Sequence, residues 1–234
     1  MRTIRKIIKI IVVLCFAVAI AGCSYLICEG YDMYKTAVEA EPIAEKVEEI
    51  RSRDNYTTIE ELPQIYLEAI ISVEDHRFYY HPGIDVLAIG RAAINDIKAG
   101  SLVEGGSGIT QQLCKNLYFT QEKKFTRKIA EVFLSLQFEK KYTKNEILEL
   151  YVNSIFFGNN YYCVKDASLG YFGKLPRDMN DYESTLLAGI PNAPSAYALT
   201  KNPDLAHQRQ RRVLEKMVKY NYLTEKEANA IMHK

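Results

Sequence analysis

Residues 62–85 read LPQIYLEAIISVEDHRFYYHPGID. Pro63 suits the first turn of a helix, and Ile65, Ala69, Ile70 and Val73 then recur at helical spacing. The pattern predicts a helix that ends at Glu74-Asp75 and is followed by a turn at His81-Pro82-Gly83. A helix C-terminus is the negative end of the macrodipole, so it disfavours a charged carboxylate there and suits it to general-base work. The plainer reading of the same residues is a solvated helix end, its acids paired with Arg77. His76 and His81 have no third ligand at a metal-binding interval, so no metal motif is read.

Helical periods continue outward from this stretch. Val86 to Lys98 reads as a helix, residues 101–108 (SLVEGGSG) as a glycine-rich loop, and Thr110 to Leu117 as the next helix. A long helix is expected from Thr126 to Tyr142, and Thr143-Lys144-Asn145-Glu146 is a capping box that restarts one through Tyr151. Asp181 to Gly189 is another, and the tail from Pro203 holds two more, the last opened by Thr224. Little reads as strand, no repeat is visible, and the fold class is mainly α. The 234 residues are 48% apolar and 25% charged, which excludes a disordered chain. With 30 basic against 29 acidic residues, a dedicated nucleic-acid binder is excluded too.

The N-terminus is of a different kind. Arg2, Arg5, Lys6 and Lys9 precede residues 10–28 (IIVVLCFAVAIAGCSYLIC), which carry no charge. Nineteen helical residues rise about 28 Å, close to the hydrocarbon thickness of a bilayer. The positive-inside rule puts residues 1–9 in the cytoplasm, with 10–28 spanning the membrane, 29–55 forming a stalk and 56–234 forming a domain at the outer face. Ile20-Ala21-Gly22-Cys23 also resembles a lipoprotein signal, with Cys23 as the lipid-anchored residue, and Ala17 to Gly22 offers a site for a cleaved signal. Cys114 and Cys163 are the two body cysteines, expected as buried thiols, with a disulfide as the alternative.

Two more segments bear chemistry. Residues 105–112 (GGSGITQQ) let backbone N–H groups approach a ligand just before a helix start, with Lys115, Lys123 and Lys124 following, although no Walker loop is present. Arg127 and Glu131 lie four apart on one helix face, able to pair. Residues 86–102 are apolar enough to enter a membrane interface, and equally read as a core helix. The tail cations Arg209, Arg211, Arg212, Lys216 and Lys219 read as a solvated face, with anionic lipid headgroups as the alternative partner.

In this order the segments resemble the peptidoglycan glycosyltransferases, family 51 of the glycosyltransferases. Glu74-Asp75, Phe78, His81, Gly83 and Asp85 match EDxxFxxHxGxD, and Gly105 to Asn116 (GGSGITQQLCKN) match GGSTITQQxxKN. Arg127, Lys128 and Glu131 match RKxxE, followed by a helix to Asn153 that matches ILExYxN. Tyr171 to Lys174 supply YFGK, and Leu187 to Tyr197 supply LAGxPxAPxxY. Three departures stand out. Gly108 replaces a usual threonine, residues 163–168 (CVKDAS) replace GIExAA, and Asn192 replaces glutamine.

The resemblance implies a lysozyme-like glycosyltransferase domain with a small membrane-associated jaw subdomain, polymerising lipid II at the bacterial cytoplasmic membrane. It implies Glu74 as the base that deprotonates the acceptor hydroxyl and Glu131 as a second catalytic acid near the leaving diphosphate. Lys115 and Lys123 then neutralise that diphosphate. Asp75, Phe78, His81, Arg91, Ser107, Thr110, Gln111, Gln112, Asn116 and Arg127 complete the substrate-binding set. A magnesium or manganese ion beside the diphosphate is the one cofactor it leaves room for, and no metal-ligand residues are assigned. Implied partners are lipid II, the growing glycan strand, the membrane, and penicillin-binding transpeptidases with other cell-wall proteins. No SxxK occurs, so a monofunctional enzyme is expected. A lytic transglycosylase is the competing enzyme, though it has no diphosphate to hold, and a tethered scaffold is the competing non-enzyme.

Overall fold

A computed structural model describes residues 2–101, 105–119 and 125–232, with side chains from residue 4 onward. Among the described residues there are twelve α-helices and no strand. They are α1 (Arg2–Ala40), α2 (Ile43–Arg51), α3 (Gln64–Glu74), α4 (Val86–Ala99), α5 (Ile109–Tyr118), α6 (Phe125–Lys141), α7 (Lys144–Val152), α8 (Val164–Phe172), α9 (Asp181–Gly189), the single turn α10 (Pro194–Tyr197), α11 (Pro203–Lys219) and α12 (Glu225–Met232). The mainly α reading of the sequence holds.

The core is built around α3. Tyr66, Leu67, Ala69, Ile70, Ile71 and Val73 are all buried, so this helix is apolar nearly all round, as a central helix must be. Helices α9 and α11 pack along it, while α5 packs between α6 and α7. Helix starts follow the capping chemistry in the sequence. Thr143 and Glu146 cap α7 reciprocally, Asn180 and Glu183 do so for α9, and the Thr224 N–H donates to Glu227 ahead of α12.

Two stretches differ from the sequence reading. Helix α1 does not stop with the apolar run; it continues unbroken to Ala40. At about 1.5 Å per residue its 39 residues extend roughly 58 Å. Residues 4–29 are exposed, and from Gly30 onward the helix lies against α6. Its Ile4–Ala40 portion is long and apolar enough to cross a membrane. The stretch read as a stalk is therefore no free spacer. Ile43, Val47 and Ile50 form a buried stripe on α2, and Arg51 bonds Glu146 of α7 at 2.9 Å. The density of charge in residues 29–54 hid that stripe.

The contact between α1 and α6 depends on a missing side chain. A Cβ on Gly30 would stand 2.6 Å from Ile129 Cβ and 2.9 Å from the Thr126 carbonyl oxygen. The next residue, Tyr31, meets Phe133 edge-on with centroids 5.2 Å apart, one turn along α6 from Ile129. Gly30→Leu is thus expected to wedge the two helices apart, overpacking of this kind costing about 1–3 kcal/mol. Thermal unfolding of the detergent-solubilised chain checks this, with Gly22→Leu, which meets nothing within 4 Å, leaving the midpoint unchanged.

Helix α4 stands apart from the core. Only its Ala92 is buried, while Val86, Leu87, Ile94 and Ile97 are exposed. Cys114 and Cys163 are buried free thiols, so the disulfide alternative is not realised.

Candidate active site

Glu74 is the last residue of α3, and that helix end is held by Lys216 of α11, whose ammonium donates to the Val73 carbonyl at 3.1 Å. The next residue leaves the helix, so the two adjacent carboxylates part company. Asp75 turns inward. Both its oxygens lie 3.0 Å from His81 Nε2, and Oδ2 also accepts from the Ile109 N–H at 3.0 Å. That places an anion at the start of α5, where the helix dipole favours it. A Cβ on Gly108 would collide with Asp75 Oδ2, so the glycine that replaces the usual threonine makes room for this carboxylate.

Glu74 faces a cleft of about 700 Å³. Asp75, Arg91, Ser107, Gln112 and Lys115 line the same cleft, so six of the residues singled out in the sequence converge on one space. Glu74 Oε2 accepts from Gln112 Nε2 at 2.8 Å, and Gln112 Oε1 accepts from the Tyr151 hydroxyl at 3.1 Å. Glu74 Oε1 has no hydrogen-bond partner among the described residues and lies 3.7 Å from Arg209 Nη2. In all, six cationic side chains border the cleft against two carboxylates: Arg91, Lys115, Arg209, Arg212, Lys216 and Lys219. Such a surplus in a partly enclosed space concentrates polyanions.

Arg209, Arg212, Lys216, Lys219, His76 and Tyr220 are among the cleft residues that the sequence reading did not place there. Arg209 is largely buried, its Nε donates to the Gly189 carbonyl at 3.3 Å, and burial pushes its pKa down. The tail was read as a solvated face, yet Arg209 and Lys216 flank the buried stripe Ala206, Gln210, Val213 and Met217. Edge positions of an amphipathic helix carried the available signal. His76 stacks flat on Tyr220, with centroids 4.1 Å apart, and burial with Arg77 and Arg91 nearby lowers its pKa.

Glu131 does not line the cleft. It is 1% exposed, gripped by Arg127 Nη1 at 2.5 Å and approached by Lys128 Nζ at 3.4 Å. Lys128 also bonds Ser107 on the cleft wall, so the buried acid anchors the cations on that side. Burial lowers the pKa of Lys115, and the charge of Glu131 opposes that shift.

The remaining sequence-selected residues lie elsewhere. Phe78 is a core residue with Lys144 above its ring. Thr110 is buried and donates to Glu139 at 2.5 Å, and Gln111 is buried with neither amide atom bonded among the described residues. Asn116 is half-buried on α5 and does not line the cleft. Lys123 lies outside the described residues.

One set of groups has metal-like spacing among the described residues: Asp75, His81 and Asp85. Arg77 bonds Asp85 through Nε at 2.9 Å and Nη2 at 2.6 Å, and the Ala88 N–H adds a third donor at 2.8 Å. Burial raises the Asp85 pKa, but the Ala88 N–H and Arg77 outweigh it and hold it low. Asp75 is engaged by His81 and Ile109, and Glu131 by Arg127 and Lys128. None of these carboxylate oxygens is without a protein donor or cation, so Asp75, Asp85 and Glu131 as arranged do not fit a divalent ion.

The family model described as transglycosylase matches residues 40–218, which hold α2 to most of α11 and every cleft residue except Lys219 and Tyr220. The chain belongs to the transglycosylase family. Penicillin-binding protein 1F of Bacillus subtilis is 44% identical over 171 residues, covering 73% of this chain and 24% of that protein. Penicillin-binding protein 1A of Neisseria gonorrhoeae is 42% identical over 172 residues, covering 74% and 22%. A solved structure of penicillin-binding protein 1A from Haemophilus influenzae aligns with 76% of this chain and 17% of its own, at 20% identity and a TM-score of 0.43. The chain thus spans about a quarter of the length of the curated relatives it matches. In this transglycosylase chain the altered segment 163–168 is structural: Cys163 caps α8, Asn55 bonds Asp166 at 2.8 Å, and none of the six lines the cleft. Asn192, the other departure, does line it.

Proposed function

We propose that this chain polymerises lipid II into β-1,4-linked glycan, releasing undecaprenyl diphosphate. The observation that carries this reading is a carboxylate, Glu74, whose Oε1 accepts no hydrogen bond from the described residues and has Arg209 at 3.7 Å, in a cleft bordered by six cations. The acceptor's 4-hydroxyl attacks the anomeric carbon of the donor, its proton passes to Glu74, and the bond to the diphosphate breaks with inversion. Such a single displacement needs a base and a place for negative charge, and no nucleophilic side chain. Lys115, backed by Arg127 and Lys128, serves the departing diphosphate. Arg209, Arg212 and Lys216 across the cleft serve a second phosphate-bearing substrate. Glu131 acts by holding cations in place, and no step passes through a metal ion.

Helix α1 fits an uncleaved anchor with the N-terminus inside and the body at the outer face. The exposed apolar side of α4 then lies at the bilayer surface beside the cleft mouth, since Arg91 and Asn95 of the same helix line the cleft. The alternative anchor is a lipid on Cys23, which intact mass spectrometry of membrane-extracted protein distinguishes. The glycan it makes is then a substrate for penicillin-binding transpeptidases, which cross-link it.

The test is incubation with fluorescent lipid II in detergent. A ladder of lysozyme-digestible polymer that moenomycin suppresses and penicillin leaves unchanged is expected, and no polymer under any detergent condition removes the proposal.

A further inference from the structure

We infer that Tyr151 is a positioning residue for Glu74, acting through Gln112; the inference rests on the reading of Glu74 as the base. Tyr151 sits on α7 and is completely buried, and burial raises its pKa, so its hydroxyl keeps the proton it donates. That proton goes to Gln112 Oε1 at 3.1 Å. A side-chain amide has one oxygen and one NH2 group, so spending the oxygen on Tyr151 turns the NH2 toward Glu74 Oε2, 2.8 Å away. The opposite amide orientation would set two acceptor oxygens face to face, tolerable only with a protonated carboxylate. Tyr151, donating to the amide oxygen, therefore reinforces the amide orientation that suits a charged Glu74, whose Oε1 accepts no hydrogen bond from the described residues.

The other charged and titratable groups that face Glu74 are Arg209 from α11, Lys115 from α5 and the neighbouring Asp75. None is altered by Tyr151→Phe, which removes one oxygen from a closed site. Lipid II polymerisation by the full chain in detergent is the experiment, read as kcat, KM and the pH dependence of kcat/KM. Tyr151→Phe is expected to lower kcat about tenfold, the scale of one lost hydrogen bond, with KM unchanged. The acidic limb of the profile moves to higher pH, because a carboxylate that loses a fixed donor binds its proton more tightly.

Gln112→Leu is expected to show the same limb shift, and Tyr151→Phe added to it costs nothing further. An unshifted limb in Tyr151→Phe, or losses that multiply in the double variant, overturns the inference. If Tyr151→Phe does not fold, an unshifted limb in Gln112→Leu alone overturns it. Failure of the underlying reading looks different: there Glu74→Gln itself polymerises at the wild-type rate.

Discussion

Glu74→Gln lowers kcat for lipid II polymerisation about a thousandfold while KM stays near wild type; positioned bases contribute about 10²–10⁴. The expectation follows from what each neighbour does. The cations that border the cleft still hold the phosphates, so substrate binding survives. Gln112 still finds an acceptor oxygen at position 74, so the local hydrogen bond survives as well. What is lost is, among the described residues, the cleft carboxylate with an oxygen that accepts no hydrogen bond. Asp75 does not stand in for it, because His81 and the Ile109 N–H occupy its oxygens and the start of α5 holds it inward. Arg209 loses a partner at 3.7 Å, beyond hydrogen-bond reach, and keeps its bond to the Gly189 carbonyl, so the unfolding midpoint is expected to fall less than in Glu131→Gln. A variant that polymerises at a tenth of the normal rate or better would rule out Glu74 as the base.

The sequence made the helices legible where caps or apolar periods were strong. Thr143 and Glu146 announced α7, and Pro63 with the stripe behind it announced α3. Helix α8 went unread because its nine residues include Gly170 and no clear apolar stripe. Of the site, Glu74, Gln112 and Lys115 were found through their motifs, and the cleft unites them. Orientation was the part that spacing could not supply. Thr110 and Gln111 stand beside Gln112 in sequence, yet helical geometry turns them into the core while Gln112 faces Glu74. Arg209 was missed for the reverse reason: a helix as charged as α11 looks solvated until its buried stripe is placed against α3 and α9.

Glu131→Gln is expected to lose stability and activity together, unlike Glu74→Gln. An i,i+4 pair such as Arg127–Glu131 is worth little when exposed. Here the carboxylate is 1% exposed, so the pair belongs to the buried class. Removing one partner of a buried pair costs about 3–5 kcal/mol, because the other charge is left uncompensated. Arg127 and Lys128 keep some access to water, which argues for the lower end, on the order of 3 kcal/mol. For a chain of this size that lowers the unfolding midpoint by roughly 6–12 °C.

The effect on activity runs through Lys115. Burial already lowers its pKa, and Glu131 is the largest influence keeping it charged. Without that carboxylate the ammonium gives up its proton at lower pH, so the basic limb of the rate profile moves down in pH. Lys128 also loses its tether beside Ser107, and KM for lipid II rises with the weakened phosphate contacts. Calorimetry and the pH dependence of kcat/KM on the same preparation check both halves. A Glu131→Gln variant with wild-type stability and KM but a collapsed kcat would mean that Glu131 acts on the reacting atoms themselves, and the division of labour between the two glutamates would have to be redrawn.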